Sequence, residues 1–132
     1  MKYMLDTNIC IYIVKKNPPQ VFKKFSTFTE DDLCISSITL AELEYGIRKS
    51  NHPTKNKLTW MLFLAEMKIL PFDEAAATEY GEIRATLERH GTPIGANDLL
   101  IAAHARALGL TLVTNNIREF ERIDGLQVEN WI

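Results

Sequence analysis

Tyr3-Met4-Leu5-Asp6-Thr7-Asn8-Ile9-Cys10-Ile11 starts as a short apolar run, stops at an acid, and resumes as a longer apolar run. Tyr3 to Leu5 reads as a short strand. The stretch from Asn8 to Lys16 reads as a helix, with Asp6, Thr7 or Asn8 as its cap. A strand that passes into a helix across one acid is the first half of a strand–helix–strand unit, and the rest of the chain repeats that pattern.

Outward from this stretch, Pro18-Pro19 restarts a helix through about Phe28, because proline suits a first helical turn. Leu33 to Ser36 is a second strand, after the polar turn Glu30-Asp31-Asp32. Thr39-Leu40-Ala41-Glu42 opens a helix to about Ser50, which Asn51-His52-Pro53 breaks. A further helix from about Thr54 to Met67 leads to the strand Lys68-Ile69-Leu70. Asp73 caps a long helix to about His90, ended by Gly91. A loop to Gly95 leads to a helix from about Ala96 to Leu108, ended by Gly109. Leu110 to Thr114 is a fourth strand, Asn116 to Arg122 a helical turn, and Leu126 to Val128 a last edge strand. This alternation implies an α/β fold, a three-layer α/β/α domain around a central, mostly parallel sheet of about five strands. The 132 residues fit a single domain, 1–132.

In such sheets ligands bind outside the carboxyl ends of the strands. Asp6 ends the first strand, Glu42 falls in the first turn after the second, and Asp98 in the first turn of the helix leading to the fourth. Asn116 and Glu119 follow the fourth strand. Each has an ordinary structural explanation: Asp6 as a cap, Glu42 in a capping box with Thr39, Asp98 as a complement to the helix dipole. Taken together, carboxylates gathered at one strand edge repel one another and raise at least one pKa. A cation in the cluster relieves that repulsion. Oxygen ligands without His or Cys partners suit Mg²⁺ or Mn²⁺ rather than zinc. Such an ion acidifies water, orients it and neutralises a phosphate, which is what phosphodiester hydrolysis requires.

Composition narrows the classes without choosing among them. Cys10 and Cys34 sit in apolar runs and read as reduced, buried thiols, with no CxxC spacing for zinc. No run is long enough for a signal peptide or a bilayer span, so the chain reads as cytoplasmic. The net charge of −2 gives no overall basic footprint for nucleic acid. Its distribution is uneven: residues 1–68 carry ten Lys/Arg against seven Asp/Glu, and residues 69–132 five against ten. The basic residues pair up as Lys15-Lys16, Lys23-Lys24, Arg48-Lys49 and Lys55/Lys57, and these pairs either hold phosphates or are solvated helix faces.

Met4-Leu5-Asp6-Thr7-Asn8 resembles the first signature of PIN domains. Ser36-Ser37-Ile38-Thr39-Leu40-Ala41-Glu42-Leu43 resembles the second. Pro93-Ile94-Gly95-Ala96-Asn97-Asp98-Leu99-Leu100-Ile101-Ala102 resembles the third, and Leu112-Val113-Thr114-Asn115-Asn116-Ile117-Arg118-Glu119-Phe120 the fourth. The four occur in order and cover nearly the whole chain. Within the family the likeness is to VapC toxins of bacterial toxin–antitoxin pairs, of the enteric type. The resemblance implies RNA endonucleolysis through carboxylate-held Mg²⁺ or Mn²⁺. It also implies a VapB-type antitoxin whose C-terminal segment blocks the site, and a homodimer or a higher toxin–antitoxin assembly. The implied substrate is tRNA, with the anticodon stem-loop of initiator tRNA as target. Asp6, Glu42 and Asp98 carry over as metal ligands. Many PIN domains have an acid where Asn116 stands, and Glu119 is the candidate to supply the missing carboxylate. Thr7, Asn8 and Thr114 are candidate supporting donors.

His52, His90 and His104 read as structural or surface residues rather than an acid–base pair. Trp60-Met61-Leu62-Phe63-Leu64 is apolar all round, which fits a dimer or antitoxin surface or a central core helix. Two rival functions remain at this point. In one, Asp6 is a phosphatase-like nucleophile, although Asn8 stands where the second acid would be. In the other, the chain is a non-catalytic module whose acids bind a partner's arginines.

Overall fold

The computed structural model describes residues 1–132. Five short strands form the sheet: β1 (Tyr3–Leu5), β2 (Leu33–Ser36), β3 (Lys68–Leu70), β4 (Thr111–Val113) and β5 (Val128–Glu129). Their order is β3-β2-β1-β4-β5, and every pairing is parallel. β1 is therefore the middle strand, with all three residues buried. The helices are α1 (Thr7–Lys15), α2 (Pro19–Phe25), α3 (Ser37–Lys49), α4 (Pro53–Ala65), α5 (Glu74–Arg89), α6 (Ala96–Leu108) and the short α7 (Ile117–Phe120).

Strand side chains alternate between faces, and this alternation builds two cores. Met4, Cys34 and Leu112 point to one face and pack with Ile83 and Leu87 of α5, Leu99 and Ile101 of α6, and Phe120. Tyr3, Leu5, Leu33, Ile35 and Val113 point to the other, against Ile9 and Ile13 of α1, Val21 of α2 and Leu43 of α3. These are the three layers expected from the sequence. Both cysteines are free and buried, and burial pushes the Cys34 thiol up to about 11. Neither is a nucleophile at neutral pH.

Beyond shifts of one or two residues at other element ends, among them those of α1, β4 and α7, the boundaries depart from the sequence reading in four places, each with a local cause. α2 stops at Phe25 rather than Phe28. Ser26 Oγ and Thr27 Oγ1 donate to the carbonyls of Phe22 and Lys24, satisfying the helix end with side chains. The chain then turns so that Phe28 stacks on Trp131 at 5.3 Å and meets Tyr3 edge-on at 5.1 Å. α3 begins at Ser37, with Ser36 as its cap, accepting from the Ile38 N–H at 3.1 Å. β5 lies two residues late, because the amides of Leu112 and Thr114 bond the carbonyls of Gln127 and Glu129.

The fourth difference is α4, which runs from Pro53 to Ala65 rather than from Thr54 to Met67. It is not a core helix, since none of its residues is fully buried. Trp60, Phe63 and Leu64 lie half-buried on the second core, while Leu58, Met61 and Leu62 are 62%, 57% and 70% exposed. Two methionines thus give a test of layer assignment. Met4→Ala, at the fully buried centre of the sheet, is expected to cost about 2–5 kcal/mol in denaturant unfolding. Met61→Ala on the open face of α4 is expected to stay within about 0.5 kcal/mol of wild type. Equal losses at the two sites would refute this layering.

Candidate active site

Asp6 follows directly from the carboxyl end of β1 and caps α1. Its Oδ1 accepts from the Ile9 N–H at 2.9 Å, and it also accepts from the Asn8 backbone and the Thr114 hydroxyl. The residue is 4% exposed. Burial, with a smaller push from the charge of Glu42, raises its pKa to about 6 against these hydrogen bonds. Thr114, just beyond β4, serves both neighbours: its Oγ1 also accepts from the Asn116 N–H at 3.0 Å.

Glu42 lies in the second turn of α3, not the first, because Ser36 rather than Thr39 caps that helix. The capping-box explanation of Glu42 therefore fails. Its Oε1 accepts from the Thr7 hydroxyl, and its Oε2 from Asn97 Nδ2 at 3.0 Å. Thr7 opens α1 and Asn97 opens α6, so Glu42 bridges the starts of two other helices.

Asp98 stands in the first turn of α6, half-buried. Its pKa is raised to about 7, first by burial, then by the charge of Glu119 and a hydrogen bond to it, then by Asp6 and Glu42. Glu119 Oε1 accepts from the Gly95 N–H at 3.0 Å, and its Oε2 from Asn116 Nδ2. A Cβ at Gly95 would lie in ordinary van der Waals contact with the acids, 3.7 Å from Asp98 Oδ2 and 3.8 Å from Glu119 Oε1, which places this residue directly against the site.

The structure thus gathers all five sequence candidates at one edge. Asp6, Glu42, Asp98 and Glu119 interact electrostatically, and Asn116 is bonded to Glu119. Of the supporting donors, Thr7 and Thr114 use their side chains, while Asn8 contributes only its backbone, its side chain being exposed. Asn97 and Gly95 were not singled out from the sequence. Their signal was their place beside Asp98 in the third motif, which supplied no reason to separate them from ordinary helix-start residues. His104 also does more than fill space. It is buried on α6 with Nδ1 2.8 Å from Ser36 Oγ, which ties the Asp98 helix to the strand end that starts the Glu42 helix.

None of the four carboxylates is ion-paired with a lysine, arginine or histidine. Four acids at one edge without a protein cation match the donor set of a hard divalent ion in type and charge. As they stand, no three of them converge as a ready-made metal cluster. Glu42 is turned to Thr7 and Asn97, and Glu119 to Asn116 and Gly95. Asp98 feels the charge of all three other acids.

The family model for the PIN domain matches residues 3–126. The tRNA(fMet)-specific endonuclease VapC of Shigella flexneri is 49% identical over 131 residues, covering 99% of this chain and 98% of that protein. DNA-bound VapBC from Salmonella typhimurium superposes with a TM-score of 0.94 at 46% identity, covering 100% of this chain and 99% of the other. VapBC2 from Rickettsia felis, bound to a DNA fragment from its promoter, gives 0.92 at 46% identity with both chains fully covered. With four carboxylates at the edge where such a fold does its chemistry, this chain belongs to the PIN-domain family, among its VapC ribonucleases.

Proposed function

We propose that residues 1–132 act as a single PIN domain, the endoribonuclease toxin of a toxin–antitoxin pair. It hydrolyses phosphodiester bonds of tRNA, with the initiator tRNA anticodon stem-loop as target. The observation that carries this reading is a carboxylate cluster free of protein cations, in a chain 49% identical along its length to a tRNA(fMet)-specific endonuclease. Asp6, Glu42 and Asp98 hold Mg²⁺ or Mn²⁺, and Glu119 with Asn116 completes the site. The bound cation supplies an acidified water and charge neutralisation at the phosphate. Asp6 is fixed by three donors and sets the floor of the site. Thr7 and Asn97 hold Glu42 in orientation, and Asn116 holds Glu119 beside Asp98. The rival nucleophile reading loses support, since Asp6 is buried, its oxygens engaged, and Asn8 points to solvent.

A VapB-type antitoxin is the partner, and the toxin self-associates as a homodimer or within a larger complex. A groove of about 490 Å³ between α1, α2 and α4, lined by Ile13, Phe22, Phe25, Leu62, Phe63 and Met67, offers apolar anchors for it. No helix is long and apolar enough to cross a membrane, and the proposed place of action is the cytoplasm, where tRNA is found.

Cleavage of the stem-loop is expected to need Mg²⁺ or Mn²⁺ and to stop in EDTA, leaving 5′-phosphate ends. Full activity in EDTA, or 2′,3′-cyclic phosphate products, would refute metal-assisted attack by water. Asn97→Ala is expected to lower activity about 10–100-fold by freeing Glu42. Asp6→Asn and Asp98→Asn should lower it further, with the fold intact by circular dichroism.

The raised carboxylates make a second prediction. A folded-state pKa of about 6 for Asp6 and about 7 for Asp98, against the ordinary aspartate value of 3.8, means that the folded chain binds protons more tightly. Their favourable contribution is complete below pH 4 and is lost as pH rises through 6 and 7. The melting temperature in EDTA is expected to fall from pH 5 to pH 8, and saturating Mn²⁺ to flatten that fall. A fall of equal size in an Asp6→Asn/Asp98→Asn double variant would assign it to other groups.

The same cluster attracts arginine, which is permanently charged and bonds carboxylates in pairs. An antitoxin arginine inserted there competes with the metal, so inhibition is expected to weaken as Mn²⁺ rises. Replacing that arginine should restore cleavage while the complex survives. Undiminished inhibition without any basic residue near Asp6 and Asp98 would point instead to occlusion of the RNA groove.

A further inference from the structure

Beyond Glu119 the site continues into a shallow, solvent-open cavity of about 370 Å³, lined by Pro93, Ile94, Gly95, Asn116, Arg118, Glu119 and Arg122. Only one of the seven is apolar apart from the proline, so no apolar ligand is served. Gly95, Asn116 and Glu119 belong both to this cavity and to the carboxylate cluster. The cavity is a continuation of the site.

Its two cations stand in the acid-rich half of the chain. Residues 69–132 contain five basic residues, all arginines. Arg84 is paired with Glu88, Arg106 with Glu79 and Glu82, and Arg89 lies in the last turn of α5 bonded to Thr86. Arg118 and Arg122 have no carboxylate within ion-pair distance, although Glu119 lines the same cavity. Arg122 is anchored at one point, donating from Nη1 to the Pro93 carbonyl at 3.2 Å. That bond holds the guanidinium on the cavity wall and leaves four of its five N–H donors for a ligand. Arg118 is exposed on α7, one residue before Glu119.

Resting on the proposed ribonuclease function, we infer that Arg118 and Arg122 form a phosphate subsite for the RNA strand next to the scissile bond. The carboxylates take the reacting phosphodiester with its cation. A strand leaving that point through the cavity brings its next phosphate between the two guanidiniums. Guanidinium and phosphate match in a planar, two-bond geometry, and arginine sheds its water more readily than lysine. The arrangement also addresses a difficulty of an acidic nuclease. Before a cation binds, the carboxylates repel the RNA backbone, and two guanidiniums lining the same cavity as Glu119 offset that repulsion locally. They recognise backbone, not base, so they position the strand without reading its sequence.

The test is steady-state cleavage of the anticodon stem-loop by wild type, Arg118→Gln, Arg122→Gln and the double variant in Mg²⁺ or Mn²⁺. Binding of the same RNA by these chains is followed against salt. Each single change is expected to raise KM on the order of tenfold, with kcat near wild type. The slope of log K against log salt should fall by about 0.7 for each arginine removed. Arg118→Lys and Arg122→Lys should restore the slope while recovering affinity only in part. Arg89→Gln, which removes one charge away from the cavity, is expected to change neither quantity. Melting temperatures identify any variant that has lost its fold, and the lysine variants then decide. Wild-type KM and salt slope in both glutamine variants would overturn the subsite while leaving the ribonuclease reading intact. So would a fall in kcat alone, or normal RNA binding with escape from antitoxin inhibition. Failure of the wild-type chain itself to cleave RNA would instead overturn the ribonuclease reading.

Discussion

The Asp6 carboxylate is buried at the end of the middle strand, and a buried carboxylate is tolerated only where donors surround it. The three donors come from two directions. The Ile9 and Asn8 amides are available because α1 starts at once after β1. The Thr114 hydroxyl is available because β4 lies parallel beside β1, with Leu5 opposite Val113. An antiparallel β4 would carry its next residue away from this edge. The parallel order, the absence of a loop between β1 and α1, and the position of β4 are thus coupled to one acid. The hydrogen bonds do not fully offset desolvation, and the acid stays raised to about 6. That residual strain fits a group that awaits a cation rather than one that merely caps a helix.

The same logic extends to the hydrogen bonds that orient Glu42 and Glu119. Glu42 has both oxygens engaged by neutral donors, Thr7 and Asn97, which orient it without supplying charge. Glu119 is treated likewise by Gly95 and Asn116. A lysine or arginine in any of these places would have been more stabilising by itself, and would have occupied the oxygens that a metal needs. Behind them, the buried His104–Ser36 contact and the packing of α3 against α6 hold two of the acid-bearing helices together.

Much of this was legible in the sequence because the residues report on local structure. Asp6 sits where an apolar run stops, Asp98 three residues into a helix marked by Gly95 before it and Gly109 after it, and both lie where that reading put them. Glu42 was read one turn too early. Serine and threonine both cap helices, and Ser36, Ser37 and Thr39 all compete for the role. Only the buried, extended backbone of Ser36, running straight out of β2, settles it. The end of α2 is hidden from the sequence for a related reason: Phe28 looks like one more apolar helix position. Its stacking on Trp131, over a hundred residues away, is a tertiary fact that no local period contains. Asn97 and Gly95 lacked any signal of their own, because their importance lies in Glu42 and Glu119, which are distant in sequence.

The exposed face of α4 and the acid edge pose the same physical problem in different form. Leu58, Met61 and Leu62 leave apolar surface in water, and the carboxylates leave charge unneutralised. Neither is an accident of composition, since the chain has enough polar residues to cover three positions on one helix. A chain optimised only for its own stability would remove both. Keeping both is what a chain must do when an apolar surface and an anionic site are each completed from outside. The unpaired Arg118 and Arg122 belong to the same set: cations withheld from the nearest acid remain available to something else that is negative. Three separate deficits of self-satisfaction, one apolar, one anionic and one cationic, lie on a scaffold whose core is otherwise well filled. Each deficit has a different proposed complement, a partner's apolar side chains, a divalent cation and a phosphate backbone, and the proposed ribonuclease held in check by a protein partner would meet all three.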